Sequence, residues 1–402
     1  MPCEPLPGAT ESQGPALPDG VPPLTTLYLY LTEGCNLRCR HCWIVPTFAG
    51  GRPDPGAYLP LDLLARAVAE GRPLGLSQAK LTGGEPLLHP HFVQVVDLLS
   101  AAGLDLTMET NGTLLDGDLA RYLKERTRLH FVSVSLDGPT PAAHDSFRGV
   151  EGSFAAAVQG VRHLAAVGYR PQVIMSLYRG NVQDVEQVVA LAVELGAGSV
   201  KFNPVTRSGR GAVMHERGEA LDVDRVLELA RFVRGPLQRR VPVPLYLETP
   251  PALYTVGELL ARPPVGCQIR HILGILATGE MALCGVGRMV PGLCFGSLRD
   301  TGLAAVWQGH PVLRQLRQEL GGIYPEVCGL CIHAAQCLTH CVAQNYVESG
   351  RLVWPDALCA GAYERGRFPV ERLRAGARQK PPTTASAHGV VALPVAPVEE
   401  ER

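Results

Sequence analysis

The sequence has no run of eighteen apolar residues, so no segment reads as a membrane-spanning helix. Its N-terminus has neither a basic start nor an apolar core followed by a cleavage site, which excludes a secretory signal peptide. Net charge is nearly absent: 37 basic against 38 acidic residues leave −1, and no global field draws the chain to nucleic acid or to a membrane. Lysine is scarce, four against 33 arginines, an imbalance that genome composition explains as well as function does. A cytoplasmic location is expected. What is present in quantity is hydrophobic residues, 46% of 402, enough for two or three domains. There are also twelve cysteines, which in a cytoplasmic protein point to metal or catalysis rather than disulfides.

Three of them stand close together in Leu31-Thr-Glu-Gly-Cys-Asn-Leu-Arg-Cys-Arg-His-Cys42, directly after an apolar, strand-like run at 25–31. Thiolates from Cys35, Cys39 and Cys42 can hold three irons of a [4Fe–4S] cube, leaving the fourth iron free for a small molecule. A structural zinc site is the alternative. Its nearby fourth ligand would be His41, which lies between two cysteines and would strain the loop. A second motif, Lys80-Leu-Thr-Gly-Gly-Glu-Pro86, follows another strand-like stretch. Its glycines let backbone approach a ligand closely, and a carbonyl or carboxylate there can accept from an ammonium.

Together these motifs resemble the radical SAM superfamily. Weaker matches extend the likeness: Thr110-Asn-Gly-Thr113, Ser133-Val-Ser-Leu-Asp-Gly-Pro139, His144-Asp-Ser-Phe-Arg148 and Gly152-Ser-Phe154. The resemblance implies that Gly83, Gly84, Glu85 and Pro86 hold the amino group of S-adenosylmethionine (SAM). It places Asn111 in the SAM site, Ser135 and Arg148 near the SAM carboxylate, and His41 where relatives often carry an aromatic ring against adenine. A surface or helix-capping arginine is the other reading of Arg148.

Strand signals at 25–31, 77–82, 104–109, 130–136, 171–177 and 199–203 alternate with helical patterns at 61–71, 91–102, 115–126, 153–167, 184–196 and 222–235. Six such units give an α/β chain with a parallel sheet and helices outside. The resemblance makes this a partial (β/α)6 TIM barrel over 24–238, with cluster and SAM at the C-terminal ends of the strands. Residues 1–23 read as a flexible or loosely docked lead-in, and 376–402 as a disordered tail that includes the proline- and alanine-rich run 381–398. Cys3, within the lead-in, reads as inert.

The segment 239–375 has its own cysteine pattern. Cys267 precedes Gly279 and Cys284; then come Cys328-x2-Cys331-x5-Cys337-x3-Cys341 and, later, Cys359. This resembles the SPASM domain, a C-terminal extension that carries two auxiliary [4Fe–4S] clusters in peptide-modifying radical SAM enzymes. A zinc ribbon-like site is the bland alternative. Position by position, the resemblance gives Cys328, Cys331, Cys337 and Cys359 to one auxiliary cluster and Cys267, Cys284 and Cys341 to the other. The full pattern has a second cysteine near Cys267, and this chain has none. Cys294, in the short apolar run Gly292–Gly296, is either the missing ligand or a buried small hydrophobe. If it is not a ligand, one iron is open or takes a non-cysteine ligand.

The cofactors implied are three [4Fe–4S] clusters and SAM, whose reductive cleavage yields a 5′-deoxyadenosyl radical. The leading function is a maturase that forms a thioether or carbon–carbon crosslink in a ribosomally made peptide. The implied partners are that peptide, a ferredoxin or flavodoxin as electron donor, and a separate leader-recognition protein. Haem-type cofactor maturation and sulfatase maturation are the alternatives. The latter is disfavoured because Gly285, not an acid, follows Cys284. A non-enzymatic iron–sulfur electron carrier is the reading from another class, and the SAM motif argues against it.

Overall fold

The computed structural model describes residues 17–46, 56–261 and 267–375. The expected first-half alternation is there. The strands are β1 (Thr26–Tyr30), β2 (Gln78–Thr82), β3 (Asp105–Thr110), β4 (Leu129–Ser135), β5 (Gln172–Leu177) and β6 (Ser199–Pro204). Each lies within about two residues of its predicted span. The helices are α1 (Leu61–Gly71), α2 (Phe92–Ala101), α3 (Gly117–Arg126), α4 (Pro141–Arg148), α5 (Ser153–Ala166), α6 (Val185–Glu194), α7 (Arg210–Glu216) and α8 (Val223–Phe232).

Local chemistry explains the boundaries. Helix α1 buries Leu63, Leu64, Ala67 and Val68 on one stripe. Asp116 caps α3 by accepting from the Leu119 N–H. The sequence reading overlooked α4 and α7. Yet α4 carries ordinary signals: Thr140 accepts from the Ala143 N–H, Pro141 takes the first turn, and Gly149 ends the helix at φ 75°.

The strands show period two. In β3, Leu106, Met108 and Thr110 are buried, while Asp105, Thr107 and Glu109 are half-buried on the other face. Leu106 and Met108, like Val132 and Val134 of β4, join the large apolar core under the helices. The opposite face, toward the barrel lumen, carries Lys80 of β2, Thr107 and Glu109 of β3 and Lys201 of β6, all half-buried.

Beyond 238 the strict alternation stops, as expected, but the sheet does not. Strand β7 (Leu245–Tyr246) pairs in parallel with β6. Strands β8 (Ile272–Ile275), β9 (Glu280–Ala282) and β10 (Cys294–Ser297) join the opposite edge, giving the order β10-β9-β8-β1-β2-β3-β4-β5-β6-β7. β8 lies parallel to β1 and covers an edge that would otherwise present unpaired amides. This cysteine-rich region is therefore continuous with the barrel sheet. Of the lead-in, residues 17–23 are described: the Pro22 carbonyl accepts from the Trp307 indole at 2.9 Å, and the Pro23 carbonyl meets His271 at 3.0 Å. Residues 1–16, with Cys3, and 376–402 lie outside the described residues. Among the described residues no helix is long and apolar enough to cross a membrane.

Candidate functional site

β1 leads straight into the first cysteine loop. Cys35 and Cys39 are buried and Cys42 is half-buried, packed together around Leu37 and Val150. Burial raises the Cys35 thiol, and the Glu85, Cys39 and Cys42 charges add to that. Among the described residues, no three His, Cys, Asp or Glu side chains are drawn together as ligands of a single metal ion. Three thiols packed on one loop, two of them buried, suit a cationic centre that several sulfurs share, and the donor set fits an iron–sulfur cluster.

The Gly83–Pro86 segment leaves the end of β2 and docks on this loop. Gly84 N–H donates to Thr32 O at 2.9 Å, Glu85 N–H donates to Gly34 O at 2.9 Å, and the Thr32 hydroxyl donates to Glu85 O at 2.9 Å. Gly83 has φ 137°, and a Cβ on Gly84 would lie 1.9 Å from Gly34 O. Only glycine fits between the two loops, which leaves backbone open for a ligand beside the cysteines. The Glu85 carboxylate turns inward, 1% exposed. It accepts from the Thr110 hydroxyl at 2.6 Å, Asn111 N–H at 2.8 Å and Leu87 N–H at 3.2 Å. Burial pushes it up to about 7 against the pull of those donors. Glu85 thus pins the segment to the end of β3. Pro86 is buried and starts a short 3-10 turn. Asn111 braces the cysteine loop, its amide donating to Asn36 Oδ1 at 2.9 Å and approaching Cys35 Sγ at 3.9 Å.

Arg148 is neither a surface residue nor a free carboxylate grip. It is 6% exposed, pairs through Nε with Asp137, and donates through Nη1 to Cys39 Sγ at 3.5 Å. Asp137 also accepts from Ser176 N–H at 2.6 Å. Burial opposes the Asp137 charge, but the Arg148 guanidinium holds its carboxyl below the usual range. Ser135 ends β4 on the lumen side, two residues from Asp137. The His41 ring stacks on Phe147 at 4.6 Å, with Nε2 3.0 Å from Ser176 Oγ. Phe147 stacks in turn on Tyr178 at 4.6 Å. His41 Nδ1 is buried without a hydrogen-bond partner. Burial and then Arg148 lower this imidazole to about 3, so it is neutral. Asp137, Phe147 and Ser176 were not singled out from the sequence. The first two lie inside the motif runs quoted above, but nothing in them indicated that they touch.

Most of the later cysteines sit on or beside short helices. Cys328 and Cys331 flank the end of helix Glu326–Leu330, Cys337 ends helix Ala334–Cys337, and Cys359 lies in helix Ala357–Glu364. Burial raises the Cys359 thiol, followed by Asp356, Cys337, Cys328 and Cys331. Cys341 precedes helix Val342–Ser349 and is raised to about 12, by burial first and then by Cys267 and Cys284. Cys294 opens β10 opposite Ala282, which lies two residues from Cys284. Between Cys337 and Cys341, Leu338, Thr339 and His340 all have left-handed backbone, with φ of 52°, 62° and 68°. Such non-glycine residues cost roughly 1–2 kcal/mol each. Asn345 anchors this turn by donating to Thr339 O at 2.8 Å, and His340 pairs with Asp356 at 2.9 Å.

Between these sites the lumen is charged. Lys80 pairs with Glu109 at 2.7 Å and lies over the Tyr28 ring at 5.0 Å. Burial disfavours the Glu109 charge, but Lys80 and, more weakly, Lys201 hold its carboxyl below the usual range.

Two family models match this chain: the radical SAM superfamily over residues 29–192, and SPASM, an iron–sulfur cluster-binding domain, over 267–332. An AdoMet-dependent heme synthase of Methanosarcina barkeri is 28% identical over 346 residues, covering 82% of this chain and 94% of that protein. Mycofactocin maturase MftC of Mycobacterium ulcerans is 29% identical over 343 residues, covering 85% and 89%. In fold, the chain is similar to Streptococcus suis SuiB bound to S-adenosylmethionine, with TM-score 0.65 at 15% identity, covering 84% of this chain and 77% of that one. It is equally similar to anSMEcpe with bound AdoMet, with TM-score 0.65 at 16% identity, covering 86% and 96%.

Proposed function

We propose, from the premise that this chain is a radical SAM superfamily enzyme with a C-terminal SPASM domain, that it matures a ribosomally synthesised peptide by forming a thioether or carbon–carbon crosslink. The observation that carries the reading is the Cys35–Cys42 loop docked against the Gly83–Pro86 segment, in a chain whose second cysteine-rich region continues the same sheet. Its likeness to a mycofactocin maturase and to the subtilosin biosynthesis protein AlbA of Bacillus subtilis supports a peptide substrate. A second reading, maturation of a haem-type cofactor, is favoured by the likeness to heme synthases. Sulfatase maturation gains nothing, because the place of a side chain at 285 is filled by the Tyr30 phenol.

In this reading Cys35, Cys39 and Cys42 hold the cluster to which SAM binds, and Gly83–Pro86, Asn111, Ser135 and His41 surround SAM. Bound there, cluster and SAM supply a one-electron route to hydrogen abstraction from an unactivated carbon. The chain's own residues set the geometry. Glu85 and Asn111 lock the glycine segment and the cysteine loop to one strand end. The His41–Phe147–Tyr178 stack fixes the plane of the His41 ring beside the cysteine loop. Arg148 sets a fixed positive charge against Cys39. Cys328, Cys331, Cys337 and Cys359 hold one auxiliary cluster; Cys267, Cys284 and Cys341 hold another, leaving one iron for a non-cysteine ligand. A ferredoxin or flavodoxin supplies the electron, and a separate protein presents the leader.

Anaerobic reconstitution tests the reading. About twelve irons and twelve sulfides per chain are expected from three clusters. Replacing Cys35, Cys39 and Cys42 by alanine should abolish 5′-deoxyadenosine formation with dithionite while the later cysteines keep their iron. Stoichiometric zinc, or product from the triple variant, overturns it. Co-expression with short peptides encoded beside the gene, read by mass change, separates peptide from cofactor maturation.

A further inference from the structure

We propose that Lys201 is the anchor for a carboxylate on the substrate, in the barrel lumen between the first cysteine site and the Cys267–Cys284–Cys341 site. The proposal rests on the maturase reading and adds the chemistry its substrate must carry.

Register places the residue. Ser135 of β4 lies opposite Ile174 of β5, Ile174 lies opposite Lys201 of β6, and Lys201 lies opposite Tyr246 of β7. Lys201 therefore stands at the level of Ser135 and shares its face of the sheet. Its neighbours in β6, Val200 and Phe202, are buried in the core under the helices, so alternation turns Lys201 to the lumen. Lys201 acts electrostatically on Glu109, three strands away on β3 and on the same face of the sheet. It also acts on His340, the neighbour of Cys341. The ammonium therefore lies on the face that carries Ser135 and Glu109, within electrostatic reach of the turn that leads into Cys341.

Charge then selects the ligand. Lys80 is satisfied on two sides, by Glu109 and by the Tyr28 ring. His340 is satisfied by Asp356. The half-buried Lys201 makes no ion pair with any described residue. A partly desolvated cation without a partner is unfavourable, and an incoming anion removes that cost. A single ammonium matches a monoanionic carboxylate better than a phosphate monoester, which carries about two negative charges, and Glu248 and Asp356, which act on His340 together with Lys201, disfavour a dianion further. An aspartate or glutamate side chain, or a chain-terminal carboxylate, would be held with its neighbouring carbons under the Ser135 level.

Four lysines in the whole chain make amine footprinting readable. Reconstituted holoenzyme is acetylated with sulfosuccinimidyl acetate and mapped by mass spectrometry, with glutarate or with glutaramide as the neutral isostere. Glutarate should lower labelling of Lys201 several-fold relative to glutaramide and leave the exposed Lys124 unchanged. Equal labelling of Lys201 with the two compounds overturns the proposal. SAM and decarboxylated SAM are compared in the same way without glutarate. If SAM alone protects Lys201 several-fold, the carboxylate belongs to the cofactor and the substrate assignment fails. Reductive 5′-deoxyadenosine formation by the same wild-type sample tests the enzyme reading separately, so the two failures are distinguishable.

Discussion

The peptide N–H of Gly285 donates to the phenol oxygen of Tyr30 across 2.7 Å, tying the loop after Cys284 to the first barrel strand. The contact also excludes any side chain at 285, because a Cβ there would lie 2.3 Å from the Tyr30 ring. The Tyr30 ring meets Trp43, the neighbour of Cys42, edge to face at 6.3 Å. One buried phenol thus links the surroundings of two cysteine sets.

Gly285→Ala should therefore displace Cys284 and lower the iron held by the Cys267–Cys284–Cys341 set. Tyr30→Phe should keep the iron and lose only the hydrogen bond, about 1 kcal/mol of stability. Iron analysis and thermal denaturation of both variants check this. Full iron content in Gly285→Ala would mean the loop is not fixed by this contact.

Gly84→Ala should be damaging in a different way. Its Cβ would lie 1.9 Å from Gly34 O and 2.6 Å from Gly34 C, both backbone atoms with no rotamer to escape into. The glycine segment must then part from the cysteine loop. SAM affinity, measured by equilibrium dialysis on reconstituted protein, should fall by an order of magnitude or more. Unchanged affinity would show that the segment does not border the SAM site.

Glu85 and Asp137 should give opposite pH dependences in the cluster-free protein. Glu85 is raised from 4.5 to about 7 by burial, so between those values the folded state holds a proton that the unfolded state has released. Stability should fall as pH rises through that window, and Glu85→Gln should remove the slope. Asp137 is depressed, so its contribution is full above the ordinary carboxylate pKa and is lost as pH falls through its lower folded value. Denaturant titrations across pH read both slopes.

Asp137→Asn should cost about 3–5 kcal/mol, because it leaves the buried Arg148 cation unpaired. The Arg148→Gln partner change in a double-mutant cycle should recover part of that loss. Strict additivity of the two changes would rule out coupling between them.

Cys294→Ala should retain the full iron content if the Cys267–Cys284–Cys341 set leaves one iron to a non-cysteine ligand. Loss of one whole cluster by iron count and spectroscopy would make Cys294 a ligand and close the open iron position.

The sequence alone determined the barrel half and the cysteine grammar, because both are written in local patterns. Period-two burial in β3 and the apolar stripe of α1 depend on neighbours a few residues away. So do Cys35, Cys39 and Cys42, which fall on one loop wherever the rest of the chain goes. Tertiary structure alone decided what those residues meet. Arg148 reaches Cys39 across 109 positions of sequence, Tyr30 reaches Gly285 across 255, and β8 takes the open edge of β1. No periodicity encodes such pairs. They follow from aligning the strands in one sheet, which gathers alternate side chains on a common face where distant charges such as Glu109 and Lys201 act on each other.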